Sequence, residues 1–164
     1  MKVQFTVNGE EHTLDVEPRR LLSDVLRQDL ECFGVHLGCE HGVCGACTIL
    51  VNGEATRSCL VLAVQADGAE ILTTEGLGTP EHLSPVQAAF KAEHGLQCGF
   101  CTPGFVCMVT SILDDIDDMD DAELRESLSG NICRCTGYAN IVNAARTATK
   151  LQERGNCCQG GYCK

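Results

Sequence analysis

The sequence predicts an α+β protein in two parts, a β-rich N-terminal domain followed by a C-terminal four-helix bundle, and three features carry that expectation. Asn8-Gly9 and Asn52-Gly53 are each flanked by short runs that alternate polar and apolar residues, the pattern of tight β-hairpins. After Gly76-Leu77-Gly78-Thr79-Pro80 the periodicity becomes helical, with Ser84-Pro85 and Thr102-Pro103 as start signals. Each part also holds its own set of four closely spaced cysteines.

Taken in order, residues 2–7 and 12–16 form the first hairpin around Asn8-Gly9. Ser23 is placed to cap a helix running to Leu30, with Val25, Leu26 and Leu30 as its apolar stripe. The second hairpin joins residues 48–51 to 55–59, and a short strand over 69–73 closes the set. Two hairpins, one helix between them and a late strand fit a β-grasp arrangement for residues 1–76. A linker over 77–83 separates it from a helical domain over 84–154. Its first helix starts at Ser84-Pro85 and stops at Gly95, after His94. The second buries Phe105, Val106, Val109, Ile112 and Leu113. Asp120 with Glu123 reads as a capping box for a third, through Leu128. The last runs over 138–152 with Ile141, Val142, Ala145 and Ala148 inward, which completes a small bundle.

Composition narrows the function. With 23 acidic against 12 basic residues and a net charge of -11, the chain repels nucleic acid and anionic membrane surfaces. No apolar run approaches the roughly 20 residues of a membrane-spanning helix, and the N-terminus shows no signal core, so a cytoplasmic protein is expected. Thirteen cysteines then read as metal ligands with a few spectators, not as a disulfide framework. The acidic run Asp114, Asp115, Asp117, Asp118, Asp120, Asp121 lacks the glycine and the closing glutamate of a calcium loop, so a solvated turn is the expectation.

The loop Gly38-Cys39-Glu40-His41-Gly42-Val43-Cys44-Gly45-Ala46-Cys47, followed by Cys59, spaces its thiols C-x4-C-x2-C-x11-C. That is the plant-type spacing for a 2Fe-2S cluster and is favoured over zinc or a disulfide knot. Gly38, Gly42 and Gly45 let the backbone take positive φ and lie close to an inorganic core, with amides turned toward sulfur. The second set, Cys98-Gly99-Phe100-Cys101 and Cys133-Arg134-Cys135, sits at two helix starts where amides lack partners. Alone, it suits zinc as well as iron-sulfur.

Together, the first spacing, Leu96-Gln97-Cys98-Gly99-Phe100-Cys101-Thr102-Pro103-Gly104 and Gly130-Asn131-Ile132-Cys133-Arg134-Cys135-Thr136-Gly137-Tyr138 resemble the iron-sulfur subunit of molybdenum hydroxylases. This is the family of xanthine dehydrogenase, aldehyde oxidoreductase and carbon monoxide dehydrogenase, and the resemblance reaches from the first hairpin to about residue 152. It implies two 2Fe-2S clusters, one in a ferredoxin-like β-grasp domain and one in a helical domain. It assigns Cys39, Cys44, Cys47 and Cys59 to the cluster nearer the flavin, and Cys98, Cys101, Cys133 and Cys135 to the one nearer the molybdenum cofactor. Gln97 matches a residue that contacts the pterin. The implied partners are a large molybdopterin-binding subunit and a medium FAD-binding subunit, in a heterotrimer or a dimer of heterotrimers. Electrons would pass singly from molybdenum through both clusters to the flavin, and substrate chemistry would lie in another chain.

Arg134 is read as an offset to thiolate charge, a donor to a partner, or a surface ion pair. Cys32 and Cys107 are expected as buried small hydrophobes. Cys157, Cys158 and Cys163 fall in a tail over 155–164 that departs from the family pattern. His12, His36, His41, His82 and His94 show no ligand spacing. Two rival readings are a free-standing ferredoxin, which the acidic surface permits but which has no need of a second cluster domain, and a zinc-stabilised interaction module.

Overall fold

A computed structural model describes residues 1–154, and the tail that carries Cys157, Cys158 and Cys163 lies outside the described residues. The first part contains β1 (Lys2–Val7), β2 (Glu10–Asp15), α1 (Leu22–Gln28), β3 (Thr48–Val51), β4 (Glu54–Arg57) and β5 (Glu70–Leu72). The second contains α2 (Pro85–Ala92), α3 (Thr102–Ser111), α4 (Asp121–Leu128) and α5 (Tyr138–Arg154).

Both hairpins form where the Asn-Gly pairs put them. Asn8 and Asn52 each have φ 52°, and Gly9 and Gly53 follow at 86° and 87°, the double left-handed geometry of a two-residue turn. The sheet order is β2-β1-β5-β3-β4, with β5 parallel to β1 and antiparallel to β3. The strand latest in sequence thus lies between the two hairpins and joins them. Val3, Phe5 and Val7 alternate inward along β1 and meet Val25 and Leu26 of α1 in one apolar core.

Three boundaries in this half differ from expectation, and at the start of α1 a tertiary contact replaces the local signal. Ser23 does not cap α1: the helix begins at Leu22, and the Ser23 hydroxyl is buried with no hydrogen-bond partner. Leu21 is held extended by a bridge to Leu62, and the Leu22 N–H donates to the Val61 carbonyl at 2.7 Å, so the neighbouring segment fixes the helix start. The helix also stops at Gln28, leaving Leu30 beyond its end but packed on the core. After β4 the chain leaves the sheet in a single 3-10 turn over Ser58–Leu60, so Cys59 is on that turn and not on a strand.

The helical half follows its caps. Ser84 accepts from the Gln87 N–H while the Gln87 side chain accepts from the Ser84 N–H, and Asp120 and Glu123 do the same for α4. After α2, His94 takes the left-handed position at φ 53° and Gly95 N–H returns to the Phe90 carbonyl at 2.9 Å, a Schellman closure. At α3 the N-cap position is Cys101, and Thr102 is already inside the helix. Phe90, Phe105, Val109, Ile116, Leu124 and Ile141 are fully buried in a second core, each contributing about 1.5–3 kcal/mol by leaving water. Ile112 and Leu113 lie past the end of α3 and are only partly buried. The acidic run is a 3-10 turn over Ile116–Asp118 anchored by Arg146, whose guanidinium donates to the carbonyls of Ile116 and Met119. A third small cluster, Leu50, Leu72 and Cys107, packs α3 onto the sheet and joins the two halves.

Candidate metal centres

The loop before β3 is shaped by backbone conformation before any ligand is considered. Glu40, Gly42 and Gly45 have φ of 56°, 83° and 73°, so the chain curls three times within six residues. Gly38 differs from expectation: it needs space and not a positive φ, because a Cβ there would lie 3.1 Å from the Cys44 sulfur. Cys44 N–H points at the Cys39 sulfur at 3.3 Å. Hydrogen bonds from the backbone of His41 and Cys44 pull the Cys39 thiol down to about 6, toward the thiolate a metal requires. Cys47 and Cys59 are both buried and within hydrogen-bonding reach of each other, and burial pushes Cys59 up to about 11. The four thiols therefore face one another as two pairs, Cys39 with Cys44 and Cys47 with Cys59.

The helical half repeats the arrangement. Gly99, at φ 84°, turns the chain between Cys98 and Cys101, and Thr136, at φ 58°, turns it after Cys135. Cys98 contacts Cys135 and Cys101 contacts Cys133, again two by two. The Phe100 N–H and the Cys135 thiol lower Cys98, whereas burial beside Cys133 raises Cys101 to about 12. Gly137 N–H points at the Cys133 sulfur at 3.4 Å, and Cys133 N–H is held by the Tyr138 hydroxyl at 2.9 Å.

These donor sets fit a binuclear core. Sulfurs paired two and two, with inward amides and, in the first loop, no room for side chains at Gly38, Gly42 and Gly45, suit a 2Fe-2S core. The ten cysteines among the described residues are free thiols. Cys32 and Cys107 are buried among apolar side chains, as small hydrophobes. Gln97 is exposed and lies across the second set, donating to the Cys135 carbonyl at 3.2 Å. His41 and Arg134 are exposed.

The two sets are joined by residues that spacing did not single out. Ile132 N–H donates to the Cys44 carbonyl at 2.9 Å, linking a residue of one foursome to the neighbour of Cys133. The His36 ring stacks on Phe100 with centroids 4.9 Å apart, and its Nδ1 lies 2.6 Å from the Phe100 carbonyl, which joins the approach to the first loop to the second. Arg57 and Asn131 cross the same seam. Their sequence signal is weak: each is a polar residue two positions before a cysteine.

Comparison with known proteins agrees with this geometry. Residues 5–73 match the family described as 2Fe-2S iron-sulfur cluster binding domain, and residues 73–146 match the [2Fe-2S] binding domain. The chain is 51% identical over 154 residues to caffeine dehydrogenase subunit gamma of Pseudomonas sp. (strain CBB1), covering 92% of each chain. It is 55% identical over 156 residues to 6-hydroxypseudooxynicotine dehydrogenase complex subunit beta of Paenarthrobacter nicotinovorans, covering 94% of this chain and 98% of that one. Its fold superposes on the crystal structure of quinoline 2-oxidoreductase from Pseudomonas putida 86 with a TM-score of 0.88 at 45% identity, over 96% of this chain and 98% of that one.

Proposed function

This chain belongs to the iron-sulfur subunits of the molybdenum hydroxylases, and from that membership we propose how its own residues serve the electron relay. It is the electron-transfer subunit of an oxidoreductase complex, working with partner subunits that hold the substrate chemistry. A free-standing ferredoxin is disfavoured because its relatives are subunits of dehydrogenases. The observation that carries the proposal is the pair of cysteine foursomes, each held two by two, with the N–H of Ile132, the residue before Cys133, donating to the Cys44 carbonyl.

When bound, each 2Fe-2S cluster supplies a centre that takes up and releases a single electron. Cys39, Cys44, Cys47 and Cys59 would hold one, on the flavin side, and Cys98, Cys101, Cys133 and Cys135 would hold the other, on the molybdopterin side. The Cys44 and Gly137 amides stabilise negative charge on sulfur and so help set potential. The seam keeps the two ligand loops at fixed separation. Gln97, exposed beside the second set and donating to the Cys135 carbonyl, would contact the pterin of the partner, as the family resemblance implies. The units are residues 1–76 and 84–154 with a linker between, the partners are one large molybdopterin-binding and one medium FAD-binding subunit, in a heterotrimer or a dimer of heterotrimers, and the site of action is the cytoplasm. No helix among the described residues is long and apolar enough to cross a membrane.

The test is spectroscopic. Reduced wild-type protein is expected to show two EPR signals, with Cys44→Ser abolishing one and Cys133→Ser the other, and to co-purify with two larger chains. A colourless protein, or one signal lost in both variants, refutes the two-centre reading; a lone subunit in cells favours the free carrier.

A further inference from the structure

We infer that Asn131 and Arg57 are positioning residues that set the separation of the two ligand loops, and that the Arg57 charge raises the potential of both centres; this rests on the ligand assignment above. Asn131 is 1% exposed. Its amide nitrogen donates to the Gly45 carbonyl at 3.0 Å and approaches the Thr48 hydroxyl at 3.4 Å, and its amide oxygen accepts from Arg57 at 3.2 Å. Arg57 also donates to the Thr48 hydroxyl at 2.6 Å and to the Gly130 carbonyl at 2.7 Å. Every partner in this network stands one, two or three residues from a cysteine: Gly45 beside Cys44, Thr48 beside Cys47, Arg57 before Cys59, Gly130 and Asn131 before Cys133.

The site demands asparagine for a chemical reason. It must donate to a carbonyl on one side and accept from a guanidinium on the other, within the reach of a two-carbon side chain. Aspartate would set an oxygen against the Gly45 carbonyl, and leucine would remove the bond to that carbonyl and the one to Arg57 together, leaving each held only from its own side of the seam. The seam has no slack, since a Cβ on Gly45 would lie 2.6 Å from the Gly130 oxygen and one on Gly130 would lie 2.5 Å from the Arg57 guanidinium.

Among the described residues no carboxylate pairs with Arg57. Its half-buried charge is met only by oxygens of neutral groups: the Thr48 hydroxyl next to Cys47, and the Gly130 carbonyl and Asn131 amide just before Cys133. A fixed positive charge there favours the more negative, reduced state of each centre. It also offsets the repulsion of holding two anionic centres close.

The experiment uses the full chain with both clusters assembled, reading EPR of the fully reduced protein and the midpoint potential of each signal. Asn131→Asp is expected to weaken the magnetic splitting between the two reduced centres, which falls with the cube of their separation. Arg57→Gln is expected to shift both potentials downward, and Arg57→Lys to restore them while leaving the splitting reduced. Both signals present with wild-type splitting in Asn131→Asp and wild-type potentials in Arg57→Gln overturns the inference and leaves the ligand assignment standing. Loss of only one signal in Arg57→Gln also overturns it, because the residue would then support one domain alone. Wild-type protein with fewer than two signals is the separate failure of the ligand reading.

Discussion

Gly104→Ala gives the sharpest test of the seam, because two rules predict opposite signs. Gly104 is the third residue of α3, and replacing a helical glycine by alanine ordinarily stabilises by about 1 kcal/mol. Here a Cβ would overlap the Gly45 carbonyl oxygen, and would lie 3.0 Å from the Asn131 amide nitrogen and 3.3 Å from the Ala46 Cα. Two of these three neighbours are backbone atoms of the ligand loop, which cannot rotate aside. The clash therefore costs the upper end of the overpacking range, about 3 kcal/mol. Set against the propensity gain, the net loss is about 2 kcal/mol, or a fall in Tm of about 4–8 °C for a chain of this size. Thermal unfolding of the cluster-loaded protein, followed by circular dichroism and by visible absorbance, measures it. An unchanged or raised Tm would refute the view that α3 and the first ligand loop meet backbone to backbone.

Two more expectations follow from local chemistry. Ser84→Ala removes the N-cap of α2 and should cost about 1 kcal/mol, seen as a Tm about 2–4 °C lower with both EPR signals intact. Cys107 is sealed between α3 and the sheet, and burial pushes its thiol up to about 12. It should resist alkylation at pH 8 until the protein unfolds. Its folded pKa is above the ordinary thiol value of 9.0, so its stabilising burial is whole below pH 9 and wanes as pH climbs toward about 12; the stability gap between wild type and Cys107→Ala should narrow over that interval.

Much of the architecture was legible in the sequence because it rests on local chemistry. Asn8-Gly9 and Asn52-Gly53 fix their turns through left-handed φ values that few other pairs adopt, and the Ser84 and Asp120 boxes close within four residues. The cysteine spacing pointed to two separate centres for a similar reason: a compact inorganic core needs thiolates crowded into a short, glycine-punctuated loop. Where the sequence misled, a distant strand or loop had taken over a local role. Ser23 has the chemistry of a cap, but Leu21 is bound to Leu62 and the helix starts beside it. Gly38 looked like a residue of unusual φ and proved to be one of close approach, a property of what passes near it.

The sequence by itself determined the first iron-sulfur loop, since ligand type and short-range spacing are properties of contiguous residues, and its two cysteine motifs taken together carried the resemblance that implies a second centre. How those centres stand to one another was decided only by the tertiary structure. Arg57 and Asn131 are 74 positions apart, and Cys44 and Ile132 are separated by most of the helical half. No periodicity or motif links such residues. They meet because the sheet and α3 bury a shared apolar seam, and that burial brings two loops, each curled for its own sulfurs, within one hydrogen bond of each other.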